Sequence, residues 1–122
     1  MALLVPVSIG ELIDKITILE IKSERISNLE ALKNIQKELT ALRRVAPRVD
    51  PILIDKLKDV NVQIWDVEDE LRQCEREKDF GEQFVGMARS VYMHNDERAA
   101  IKKRINNRYN SEFKEEKSYS VY

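Results

Sequence analysis

The chain has 122 residues, 43% hydrophobic and 35% charged, with three glycines and three prolines, which fits one folded domain and excludes disordered and collagen-like chains. A single cysteine, Cys74, allows no intrachain disulfide and suits a reducing compartment, and a domain of this length buries a core without disulfides or metals. With 21 basic and 22 acidic side chains, net charge -1, it lacks the basic excess of a general nucleic-acid binder.

The opening MALLVPV has neither a basic flank nor a cleavage site, and no apolar run approaches the ~18 residues of a membrane span, so a cytoplasmic, unprocessed protein without a membrane span is expected. Leu3 to Val7 is β-branched and broken by Pro6, so residues 1–7 read as an extended tail. The first helix, residues 8–45, opens on a capping box, Ser8 with Glu11, and a hydrophobic staple of Val7 with Leu12. Its seam runs Ile9, Leu12, Ile16, Leu19, Ser23 and Ile26, and Ile13, Ile18 and Ile21 widen it, so this half is expected to be buried on more than one side. Ser27 offers a second cap with Glu30, and the seam restarts out of phase as Leu29, Leu32, Ile35, Leu39 and Leu42. A kink or short break near residues 27 and 28 follows.

The second helix, residues 51–78, has Asp50 as its cap and Pro51 in its first position, where a missing N–H costs nothing. Its seam of Leu53, Leu57, Val60, Ile64, Val67, Leu71 and Cys74 keeps four-three spacing and resembles coiled-coil packing. Cys74 on that seam reads as a buried, inert thiol rather than a nucleophile. The third helix, residues 80–109, can be capped by Asp79 with Glu82 and carries Phe84, Ala88, Val91, Asn95, Ala99, Ile101 and Ile105, a row in which Asn95 alone is polar. Helices of about 28 residues are ~42 Å long, so the expected fold is all-α: an elongated antiparallel three-helix bundle with a kinked first helix. Residues 111–122 read as a second extended tail, where Ser118 to Tyr122 alternates polar side chains with Tyr119, Val121 and Tyr122. Such a tail either packs over the bundle end or captures a partner.

A polar row, Asn61, Trp65, Glu68, Arg72 and Glu75, edged by Asp69, shares one face of the second helix, and the third helix supplies Arg89, Tyr92, Asn95, Asp96 and Lys102. Read structurally, Glu68 and Arg72 are an ordinary i,i+4 pair and Trp65 is core. Read functionally, these groups converge on a ligand between helices. Glu68, Asp69 and Asp96 offer the hard oxygen ligands that suit magnesium, while the lone histidine, His94, supports neither a di-iron nor a zinc scheme. Gly10, Gly81 and Gly86 are too scattered for a phosphate loop. Lys33, Lys37, Arg43, Arg44 and Arg48 form a local basic patch that reads as a solvated helix face.

The strings VPVSIGELIDKITILEIKSERI, LKDVNVQIWDVEDELRQCEREKDFG, ARSVYMHNDERAAIKKRIN and EEKSYSVY resemble a family of small bacterial and cyanobacterial proteins of unknown function over nearly the whole chain, departing mainly between Ser27 and Pro51. A second uncharacterised family shares the pattern Asn61, Trp65, Glu68, Asp69, Arg72. The resemblance implies a genomic setting near glycosyltransferases of surface-polysaccharide synthesis. Two functions are therefore weighed. The first is an interaction or accessory protein, oligomeric and by default a C2 dimer, because the first helix has more apolar surface than two neighbours would cover. It needs no cofactor and acts on a protein partner. The second is a small all-helical magnesium enzyme for a phosphorylated or nucleotide-linked substrate, with Glu68 and Asp69 on the metal and Arg72, Arg89 and Lys102 on phosphate oxygens.

Overall fold

The computed structural model describes residues 1–122 and contains four helices and no strand: α1 (Ile9–Arg25), α2 (Leu29–Val45), α3 (Pro51–Glu77) and α4 (Glu82–Arg108). The three-helix expectation is corrected at the point where the phase slip lies. Ile26 and Asn28 adopt extended backbone, and Asn28, not Ser27, caps α2 by accepting a 2.9 Å hydrogen bond from the Ala31 N–H. Asn is as good an N-cap as Ser, and the one-residue shift lets Ile26 pack against the core instead of extending the helix. The kink is thus a full break between two helices.

The first turn of α1 is capped by side chains from both ends of the chain. Ser8 Oγ accepts from the Glu11 N–H at 3.0 Å, Asn106 Oδ1 from Gly10 at 2.7 Å and Ser111 Oγ from Ile9 at 3.0 Å, so three of the four free N-terminal amides are satisfied. The capping box forms only in half, because the Glu11 carboxylate turns to Lys102 instead of the Ser8 amide. Gly10 is required by close approach: a Cβ there would lie 2.7 Å from the Lys102 carbonyl oxygen.

Asp50 caps α3 as expected, accepting from the Ile52 N–H at 3.0 Å. At the far end Lys78 enters the left-handed region (φ 56°) and its N–H closes onto the Glu75 carbonyl. The expected Asp79 cap of the last helix is corrected too. Asp79 accepts from the Gly81 N–H at 3.2 Å within the turn, and Gly81 takes the N-cap position of α4 without a side-chain bond.

Helices α3 and α4 form an antiparallel hairpin, tied at its open end by Arg108 to the Asp50 carboxylate at 2.8 Å and by the Tyr109 hydroxyl oxygen, which accepts from the Asp50 N–H at 2.7 Å. Helix α1 lies across that open end, from Lys102 and Asn106 of α4 at its start to Lys58 and Asp66 of α3 at its finish. Helix α2 packs on α1 alone among the helices. The core gathers Ile13, Ile16 and Leu19 of α1, Ile35 and Leu39 of α2, Val49, Leu53, Leu57 and Val60 around α3, and Ile101 and Ile105 of α4. Contact with all three other helices covers the wide apolar face of α1 within the chain, so the reason given above for oligomerisation does not lie there.

Beyond this end the hairpin continues as a bare arm. Between Val62 and Glu97 only Cys74 is buried, while Ile64, Val67, Leu71, Phe84, Met87 and Val91 stay half-buried. Two helices cannot enclose their own seam. Burial nevertheless pushes the Cys74 thiol above its ordinary range, helped by Asp79, Glu77 and Glu70, as an inert thiol requires. No helix is long and apolar enough to cross a membrane.

Candidate functional site

A buried polar cluster joins α1, α3 and α4. Asp14, 1% exposed, accepts from Arg98 Nε at 2.9 Å and from Arg98 Nη2 on its other oxygen, a bidentate pairing, and from Asn61 Nδ2 at 2.9 Å. Asn61 Nδ2 also lies 2.9 Å from Thr17 Oγ1, which itself donates to the Asp14 carbonyl at 2.8 Å. No buried side-chain nitrogen or oxygen lacks a partner, so the cluster is closed and rigid rather than frustrated. Its bond to Asp14 holds the Arg98 guanidinium charged above its ordinary range.

One turn along α4, Lys102 is buried with its ammonium between two carboxylates, Glu11 at 2.6 Å and Glu115 at 2.8 Å. Burial alone would lower its pKa, but the bonds to Glu11 and Glu115 outweigh it and the net shift is upward. Glu115 also accepts from Lys117 at 2.7 Å, and the two lysines, Lys102 first, push its carboxyl down to about 2. The C-terminal tail is thereby pinned to α4 by a carboxylate seated between two ammonium groups.

From this pin the tail returns along α4 and encloses a cleft of about 560 Å3. The helix side is Tyr92, Asn95, Asp96, Arg98, Ala99 and Lys102, and the tail side is Glu115, Lys117, Tyr119 and Tyr122. Tyr122 donates its hydroxyl to Asp96, which raises the phenol's pKa, and its ring lies 5.3 Å from that of Tyr92. The Lys117 ammonium sits 5.6 Å from the Tyr119 ring centre.

Of the residues singled out in the sequence, Tyr92, Asn95, Asp96 and Lys102 are brought together in this cleft, and the lone polar side chain of the third helix's row, Asn95, faces it. Asn61 is buried behind the cleft wall as a structural donor to Asp14. Trp65 is half-buried with the Arg25 guanidinium 5.9 Å from its ring centre, and Arg25 also pairs with Asp66. Glu68 and Arg72 form only their i,i+4 pair, at 3.8 Å on the arm, and neither they nor Asp69 and Arg89 reach the cleft. The row does not converge as a whole, because α1 ends near Asp66: Asn61 is sealed beneath it, while Glu68 and Arg72 lie beyond it on the arm. No three His, Cys, Asp or Glu side chains are grouped to hold a metal, so Glu68, Asp69 and Asp96 do not assemble as the magnesium set, and Asp96 is occupied by Tyr122.

Sequence reasoning passed over Asp14, Arg98, Glu115 and Lys117 as site residues. The signal for Asp14 was present: a carboxylate flanked by Leu12, Ile13 and Ile16 on an apolar face needs a buried partner. No comparable signal marks the tail, whose contacts are set by the reversal at Asn110 (φ 52°) and Ser111.

No curated protein and no solved structure matches this chain. The model of the Family of unknown function (DUF6165) matches residues 3–122, and the chain belongs to that family.

Proposed function

We propose that the protein is a helical interaction module that works as a symmetric dimer, its two copies joined along the α3–α4 arm. The observation that carries this is the exposure of large apolar side chains on a hairpin with almost no core of its own: Phe80 is 48% exposed, Val85 50% and Met93 46%. An arm of about 16 residues per helix is ~24 Å long. Two helices side by side then offer roughly 500 Å2 in projection, the order of the ~800 Å2 of accessible surface per partner that a stable interface buries. Packing arm on arm would turn two open hairpins into a four-helix bundle with a closed seam. We place the module in the cytoplasm beside an enzyme of cell-surface glycan assembly, a setting supported by the family resemblance alone.

Sedimentation velocity tests the dimer. At about 100 μM, well above the Kd of a specific interface, the expected mass is twice the 14.3 kDa chain. Val85→Glu combined with Met93→Glu should return it to the single-chain mass while the far-UV circular dichroism keeps its helical signal, and should lower the melting temperature because the stabilising partner is lost. A parent protein that stays at 14.3 kDa under the same conditions overturns the proposal.

A further inference from the structure

The cleft between α4 and the tail begins at the base of the arm, at Val91 and Tyr92, and its chemistry is uneven. Each side chain at its floor is held by a neighbour, yet donors remain to spare. Arg98 gives only Nε and Nη2 to Asp14, which leaves its Nη1 amino group without a protein partner, on a side chain 27% exposed to the cleft. The amide of Asn95 and the hydroxyl of Ser120 line the same space and make no hydrogen bond within the chain. Lys117 keeps N–H donors beyond the one it gives Glu115, because an ammonium carries three. Against these stand two carboxylates already engaged, Asp96 by Tyr122 and Glu115 by two lysines. Three tyrosines line it, Tyr92 from α4 and Tyr119 and Tyr122 from the tail. A volume of about 560 Å3 lies in the range of small-molecule sites.

Spare donors and cations over an aromatic enclosure select acceptor-rich, ring-bearing molecules. Glu115 shows what the seat prefers, since a carboxylate of the chain's own tail already rests between Lys102 and Lys117. We infer that this cleft binds a small organic anion, a carboxylate or phosphoryl group attached to a ring. The anion meets Arg98 Nη1, Lys117 and Asn95 while the ring lies against the tyrosines. The rigid floor supports this role, because the Asp14 pairing fixes the Arg98 guanidinium plane in advance and that side chain needs no ordering on binding.

Backbone amide shifts of the full chain, followed by two-dimensional NMR, read the cleft directly. Benzoate and phenyl phosphate are the probes, which separate the carboxylate from the phosphoryl source. Inorganic phosphate supplies charge without a ring, and benzyl alcohol a ring without charge. The expected result is that one or both ring-bearing anions shift amides of residues 91–102 and 115–122, with inorganic phosphate and benzyl alcohol weaker by about tenfold or more. Lys117→Ala should weaken the anion by about tenfold, the scale of one charge-assisted hydrogen bond. The inference is overturned if neither anion at about 10 mM moves these amides in the parent protein, a limit that excludes even very weak affinity. It is equally overturned if benzyl alcohol binds as well as the anions do.

Discussion

The two ends of the α3–α4 hairpin are made of the same two helices, yet one is a finished core and the other is an open seam. At the open end Leu57 and Ile105 are completely buried beneath α1, and the polar groups there are as well matched as the apolar ones. At the turn end Leu71, from the same heptad seam, is only half-buried, because no third helix lies over it. A regular apolar spacing therefore says that a helix has an inside, but not whether the chain itself supplies the cover. The difference locates stability at one end and availability for partners at the other.

Removing the carboxylate at the centre of the finished end should have the largest effect. Asp14→Ala leaves Arg98 and Asn61 without their acceptor in a buried site, a loss of about 3–5 kcal/mol. Thermal denaturation should show the melting temperature falling by roughly ten degrees or more. An unchanged melting temperature would mean that the cluster is not stabilising at all. The direct comparison of the two ends is Leu57→Ala against Leu71→Ala. The first should cost about 2–5 kcal/mol in urea denaturation and the second about 1 kcal/mol, since only the first leaves an enclosed cavity. Equal losses in the dilute, single-chain protein would erase the contrast drawn here.

Gly10→Ala probes the joint between α1 and α4 more gently. Its new methyl meets the Lys102 carbonyl at 2.7 Å, so α1 must shift and about 1–3 kcal/mol should be lost in the same assay. The smallest effect is on pH response. Glu115 has its folded-state pKa lowered from 4.5 to about 2, so its contribution to holding the tail is complete above the ordinary value and fades as pH falls towards the lowered one. Amide signals of residues 112–122 should thus move towards free-chain positions between about pH 4.5 and 2, and in Glu115→Gln they should already lie nearer those positions at neutral pH.

Much of this was legible because it depends on neighbours along the chain. The Ser8, Asp50 and Pro51 start signals and the seam from Leu53 to Cys74 are local patterns, and they place real helix starts and a real apolar face. The break at Ile26 to Asn28 announced itself as a phase slip, although its capping residue was displaced by one position. Long-range choices were hidden. Glu11 has a local partner in the Ser8 amide and a distant one in Lys102, and only the fold shows that the buried ammonium wins. Asn61 and Glu68 lie on the same row of one helix, yet α1 ends between their levels, so one is sealed into a cluster and the other stays in an exposed pair. Helical spacing cannot report where a covering helix stops.

The capping of α1 by Asn106 and Ser111 also dictates an order of events during folding. Helix α1 receives two of its N-terminal hydrogen bonds from residues 96 and 102 positions later in the chain. Closing a loop of that length is slow compared with forming the short-range α3–α4 hairpin. The hairpin should therefore form first and serve as the template on which α1 settles. Until the last turn of α4 is made, the most apolar helix of the protein has no finished beginning, and during synthesis it is the segment most in need of protection.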